Sequence, residues 1–116
     1  MFRFEQLDIW QDARSYIGEI YSLTARWPRS ELFGLTSQIR RSAVSVAANI
    51  AEGSASSSRK DFRNYLDHSR KSLFETVSHL YIALDQKYIT KKQFGELYSG
   101  SEKMIRRISA FQKSLL

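Results

Sequence analysis

Between Gln38 and Gly53 the chain reads QIRRSAVSVAANIAEG, a helix-length run whose only charges are Arg40, Arg41 and Glu52. On a helical wheel Leu35, Ile39, Ala43, Val46 and Ile50 fall on one apolar stripe. Val44, Ala47, Ala48 and Ala51 form a second stripe of small apolar groups, and Gln38, Ser42, Ser45 and Asn49 a third that is polar but uncharged. A helix on the surface of a small protein usually carries charge over about half its circumference. This one has almost no face suited to water, so it is expected to touch protein on more than one side. The run therefore predicts a helical bundle whose chains also self-associate, with Gln38, Arg40, Arg41, Ser45, Ala48, Asn49 and Glu52 on the helix shared between core and neighbours.

The remaining composition narrows the setting. At 116 residues the chain is expected to form one domain over residues 1–116, long enough to bury a sizeable core. There is no cysteine, which excludes disulfides and thiolate metal sites. Lys and Arg number 18 against 12 Asp and Glu, a net charge of +6 that favours acidic partners, nucleic acid first among them. No apolar run is long enough to span a bilayer. The start, MFRFEQLD, lacks the apolar stretch and cleavage site of a secretory signal, so a cytoplasmic location without membrane attachment is expected.

Four helical segments are predicted. The first covers roughly Glu5 to Trp27, with Trp10, Ala13, Ile17, Ile20, Tyr21 and Thr24 inward and Asp8, Asp12, Glu19 and Arg26 opposite. Pro28, the only proline, disfavours helical geometry at Trp27. The second spans about Leu35 to Glu52, with Ser30 or Thr36 as caps and Gly53 placed for a left-handed C-terminal cap. After the serine-rich loop Ser54–Ser58, Ser58 and Asp61 form a capping-box-like start for a third helix to Gln86. Its inward face is expected to hold Phe62, Leu66, Ser69, Leu73, Val77, Leu80 and Leu84. The fourth begins at Thr90, where Thr90 and Gln93 form a capping box and Ile89 and Phe94 a hydrophobic staple. Its apolar stripe is Phe94, Leu97, Ser101, Met104, Ile105, Ile108 and Leu115. Short connections between such helices imply an antiparallel up-down four-helix bundle.

Several active-site chemistries lack their parts. The five glycines are scattered, so no phosphate-cradling loop is present. No His-x-x-x-His or Glu-x-x-His pair exists to hold zinc or di-iron, and no metal or cofactor is expected. Neither His68 nor His79 accompanies a serine-nucleophile motif. Arg63, Asn64 and His68 match the loose arginine-to-histidine spacing of helical-bundle ribonucleases of the HEPN superfamily. Five residues apart, however, Arg63 and His68 lie about 140° apart on a helix. The expectation is a protein that is not an enzyme.

The basic residues are better organised. Lys92, Lys103, Arg106, Arg107 and Lys113 lie opposite the apolar stripe of the fourth helix and suit contacts to phosphates. A plain solubilising face explains the same pattern. Arg63, Arg70, Phe74 and Tyr81 share a flank of the third helix, fit either for stacking on unpaired bases or for a subunit interface. Asn49 is expected to bond across helices and Glu52 to pair with Arg40 or Arg41.

These residues also carry a resemblance. FEQLDIWQDA (Phe4–Ala13), the WPxxExFGLTxQIRRSAVSVAANIAEG block (Trp27–Gly53), FxxYL (Phe62–Leu66) and SxxE (Ser72–Glu75) resemble the bacterial four-helix-bundle proteins encoded within intervening sequences of 23S ribosomal RNA. Lys71 stands where that family usually has glycine. The resemblance implies an up-down bundle assembled as a homopentamer. It also implies kinship with the accessory proteins of diversity-generating retroelements, basic pentamers that bind nucleic acid and a reverse transcriptase. RNA or other nucleic acid, further copies of the chain and a reverse transcriptase are accordingly its expected partners.

Overall fold

Helical periodicity dominates the fold as it does the sequence. The computed structural model describes all 116 residues and is all-α. A short 3-10 turn at Arg3–Gln6 leads into α1 (Asp8–Thr24); a second at Arg29–Glu31 precedes α2 (Leu35–Ser54); α3 (Arg59–Asp85) and α4 (Lys91–Ser114) follow. The molecule measures 43 × 23 × 21 Å, its long axis close to the length of the 27-residue α3 at about 1.5 Å per residue. Each helix packs on two others, α1 on α2, α2 on α3, α3 on α4 and α4 on α1, around one apolar cluster of 20 buried residues.

α1 is shorter than its sequence suggests and rotated from the expected face. It buries Ile9, Ala13, Tyr16, Ile20 and Thr24, leaves Trp10 and Ile17 partly covered and exposes Tyr21. The chain leaves helical geometry after Thr24, ahead of Pro28, and folds Trp27 inward against the Tyr88 ring at 5.7 Å. Neither Ser30 nor Thr36 caps α2. Thr36 is buried, and the amide of Leu35, with no partner inside the helix, is met by Glu31 Oε1 at 3.1 Å. The same carboxylate accepts from the Tyr88 hydroxyl at 2.8 Å, tying the α2 start to the α3–α4 connection.

Gly53 is not a left-handed cap. It lies inside α2, no glycine in the chain has positive φ, and it is buried. A Cβ there would sit 2.7 Å from Phe62 Cδ1 and 2.8 Å from Tyr65 Cβ. Glycine is required because α3 passes directly over α2 at this point.

The uncharged stripe of α2 meets α3 through hydroxyls. Ser42 Oγ and Thr76 Oγ1 are 2.7 Å apart, Ser69 Oγ donates to Val46 O at 2.8 Å, and Ser72 Oγ donates to Ser45 Oγ at 3.0 Å. Thr76 Oγ1 also donates to Ser72 O at 2.8 Å and Ser42 Oγ also reaches Ile39 O at 3.1 Å, so either hydroxyl can supply the proton of the cross-helix bond. Small hydroxyl side chains let the two helices approach closely while each buried oxygen keeps a partner. α3 buries Phe62, Leu66, Ser69, Leu73, Thr76, Leu80 and Ala83, with the expected Val77 and Leu84 only half-covered.

Two helix starts form as expected from sequence. Ser58 Oγ accepts from Asp61 N at 3.0 Å, although Asp61 turns its carboxylate to Ser56 rather than completing a box. The Thr90–Gln93 capping box is complete, with bonds of 3.0 and 2.9 Å. Between them α3 ends on Lys87, the one non-glycine residue with positive φ (63°). The bonds Tyr88 N to Ala83 O and Lys87 N to Leu84 O close a Schellman turn around it.

Candidate functional site

The residues singled out on α2 divide between inside and outside. Gln38, Arg41, Ala48 and Glu52 are exposed, with Val44 beside them; Arg40, Ser45 and Asn49 are half-buried. Arg40 Nε donates to Thr24 Oγ1 at 2.8 Å and its guanidinium lies 4.6 Å from the Tyr21 ring centroid, binding α2 to α1. Asn49 does not bond across helices. Its Nδ2 donates back to Ser45 O at 2.8 Å and Ser45 Oγ at 3.0 Å, one turn earlier on the same helix. Glu52 pairs with neither Arg40 nor Arg41. It lies three to four turns along the helix from them, and Arg40 is engaged by α1.

Three of the arginines proposed for nucleic acid are held within the chain. Arg63 Nη1 donates to Leu115 O at 2.7 Å, while Gln112 Nε2 donates back to Arg63 O at 2.9 Å. Arg70 forms an ion pair with Asp67 at 2.7 Å and reaches Ser109 Oγ at 3.3 Å. Asp67 also accepts from Gln112 at 2.8 Å; that bond first, and Arg70 with it, holds its carboxyl below the ordinary aspartate range. Arg107 forms an ion pair with Asp12 of α1 at 2.6 Å. These side chains fasten α4 to its neighbours, with about two-fifths of the Arg70 and Arg107 side-chain surface still open to solvent. His68 is exposed, while Arg63 is committed to the α4 C-terminus.

The other bases remain free. Lys92, Lys103, Arg106 and Lys113 are exposed along the outer face of α4, and none enters an ion pair or side-chain hydrogen bond. Over 21 residues they mark out a strip about 30 Å long. Such a row of exposed cations can neutralise successive phosphates of a strand without reading its sequence.

Sequence reasoning missed two apolar features. Phe33, read as part of a connector, is 94% exposed and borders Tyr21, Leu32 and Val44. A hollow of about 340 Å³ between α3 and α4 is lined by Phe74, Val77, Tyr98, Glu102, Ile105 and Arg106. The helical period puts Phe74 on the flank of α3, but the period of α4 alone does not reveal that Tyr98 and Ile105 turn toward it. Within the core, Tyr16 hydrogen-bonds Ser101 at 2.8 Å, and burial pushes its phenol up to about 12. The Tyr88 phenol is raised as well, chiefly by its bond to Glu31. No three His, Asp or Glu side chains cluster as a metal site would need, and no helix is long and apolar enough to cross a membrane.

Four packed helices without strands, with one helix presenting a basic outer strip, define an all-α bundle class. The model of the 23S rRNA-intervening sequence protein family matches residues 5–110. The chain belongs to that family. Its fold is similar to the crystal structure of a protein of unknown function from the S23 ribosomal protein family of Bacteroides thetaiotaomicron VPI-5482. That match has a TM-score of 0.80 and 26% identity over 90% of this chain and 98% of the other. No functionally curated protein matches the chain.

Proposed function

We propose that this protein is a non-enzymatic, basic, homo-oligomeric helical bundle of the cytoplasm that binds RNA through phosphate contacts. The observation that carries the reading is the row of four unpaired cations, Lys92, Lys103, Arg106 and Lys113, along the outer face of α4. The +6 charge supports it, as does membership of a family named for its place within ribosomal RNA.

An up-down topology is part of the proposal. Asp12 and Tyr16 of α1 meet Arg107 and Ser101 of α4, and Ser42 and Val46 of α2 meet Thr76 and Ser69 of α3, so numbers rise on one helix as they fall on its neighbour. Self-association is supported by the outward stripe Gln38, Arg41, Val44 and Ala48 beside the uncovered Phe33. Repeating the α4 strip around an assembly, a homopentamer in the family resemblance, raises avidity without new contacts.

The same Phe33 patch favours a second reading, a protein-interaction adaptor such as an accessory subunit of a reverse transcriptase. Filter binding of RNA across a salt series separates the two. The first reading expects binding at low salt that weakens steeply as salt rises. Absence of RNA binding at low salt, with a specific protein partner that survives nuclease treatment, would select the adaptor.

A further inference from the structure

We infer that the hollow between α3 and α4 is a seat for an unpaired nucleobase, so that the α4 face prefers single-stranded to duplex RNA. The inference rests on the phosphate-binding reading and adds the part of the ligand that lies beside the phosphates.

Phe74 is a large apolar side chain left 67% exposed at the lip of the hollow. Nothing within the chain covers it. Val77, Tyr98 and Ile105 supply an apolar wall, while Arg106 and Glu102 stand at the same opening. At about 340 Å³ the hollow lies at the small end of the range for ligand sites, roughly 300–1,000 Å³. That volume suits a flat ring system rather than an inserted helix. The aromatic surface also continues beyond the hollow. Tyr81 packs on Phe94 at 4.7 Å, and Tyr98 meets Phe94 at 5.6 Å and Tyr81 at 6.4 Å, giving an aromatic edge between α3 and α4.

Charge complementarity selects the occupant. Arg106 belongs both to the hollow and to the free basic strip, so a phosphate on Arg106 brings its attached base to the opening that Phe74 also lines. Glu102 repels a phosphate but accepts hydrogen bonds, a role that fits the amino edge of a base rather than the backbone. Aromatic side chains flanking a cationic track are the usual means of holding single strands, because every base offers a face for stacking. In a duplex the bases are stacked inside and cannot enter.

The test uses the full-length native protein with a labelled 20-nucleotide oligocytidylate and a 20-base-pair RNA duplex at one salt concentration. The parent is expected to bind the single strand more tightly. Phe74→Ala is expected to weaken single-strand binding about ten- to a hundredfold while leaving duplex binding and thermal unfolding unchanged. Phe74→Trp is expected to retain binding, with its fluorescence quenched as the oligocytidylate is added. Four results would overturn the inference: equal parent affinity for both RNAs, unaltered single-strand binding by Phe74→Ala, an unquenched Phe74→Trp, or dissociation of the Phe74→Ala assembly in sedimentation. The last would mean that a second copy covers the hollow. Duplex binding with no single-strand preference overturns this inference alone and leaves phosphate binding standing; failure to bind either RNA overturns both.

Discussion

At the scale of single residues, Gly53 and Tyr16 govern the core for opposite reasons. Gly53 is defined by what it lacks. Alanine is worth about 1 kcal/mol over glycine in a helix interior, yet here its methyl would collide with the Tyr65 Cβ, which is fixed to the backbone and cannot swing aside. Overpacking wins, and Gly53→Ala is expected to lose about 1–3 kcal/mol in chemical unfolding, where an ordinary helical glycine would gain. Tyr16 is defined by a proton it keeps. Ser101 spends its own hydrogen on Leu97 O at 2.8 Å, so Tyr16 is the donor between them. The unfolded phenol ionises near pH 10 and the folded one only near 12. The unfolded state therefore loses its proton first. This contribution to stability is complete below pH 10 and falls between pH 10 and 12, by about 3 kcal/mol in all. Urea unfolding of Tyr16→Phe is expected to lack that alkaline decline and to show a cost of about 1 kcal/mol at neutral pH. An equal alkaline decline in both proteins would assign it elsewhere.

At the scale of elements, each helix joint adds polar bonds to the shared apolar core, and each set is made differently. α2 and α3 share hydroxyls, α1 and α4 share the Tyr16–Ser101 bond and the Asp12–Arg107 pair, and α3 and α4 share the Asp67, Arg70 and Gln112 cluster. The last joint is acid-sensitive. Because the folded carboxyl of Asp67 is depressed, its contribution is present above the ordinary aspartate pKa and disappears as pH falls through the lowered value. Asp67→Asn is therefore expected to lower stability at pH 7 and to narrow the gap to the parent as pH drops below about 4. The caps at Ser58 and Thr90 and the inward stripe Ile39, Ala43, Val46 and Ile50 were legible in sequence, since each rests on neighbours a few residues away. The α1 face was not, because Trp10 and Tyr16 are both large amphipathic residues and only packing decides which turns inward. Gly53 was misread for a related cause: a glycine after an apolar run signals a cap equally well as a close crossing. The basic strip was legible only as a stripe. Which arginines stay free depends on long-range partners, Leu115 for Arg63 and Asp12 for Arg107.

For the whole molecule, the sparse charge of α2 follows from its position in the bundle. Two of its sides are consumed by α1 and α3, and only the stripe from Gln38 to Glu52 through Val44 and Ala48 faces outward. The residues that hold the bundle together and those proposed to bind RNA are thereby segregated, with α4 carrying cations on one side and core residues on the other. That segregation makes the central proposal testable without damaging the fold. The most direct measurement is the salt dependence of affinity for a single-stranded RNA, compared between the parent and a variant with Lys92, Lys103, Arg106 and Lys113 all changed to glutamine. If each of the four neutralises one phosphate, the parent's log–log slope is expected to exceed the variant's by about 3 per engaged protomer, at roughly 0.7 per phosphate. Equal slopes and affinities in the two proteins, with both assembled and folded, would contradict the account.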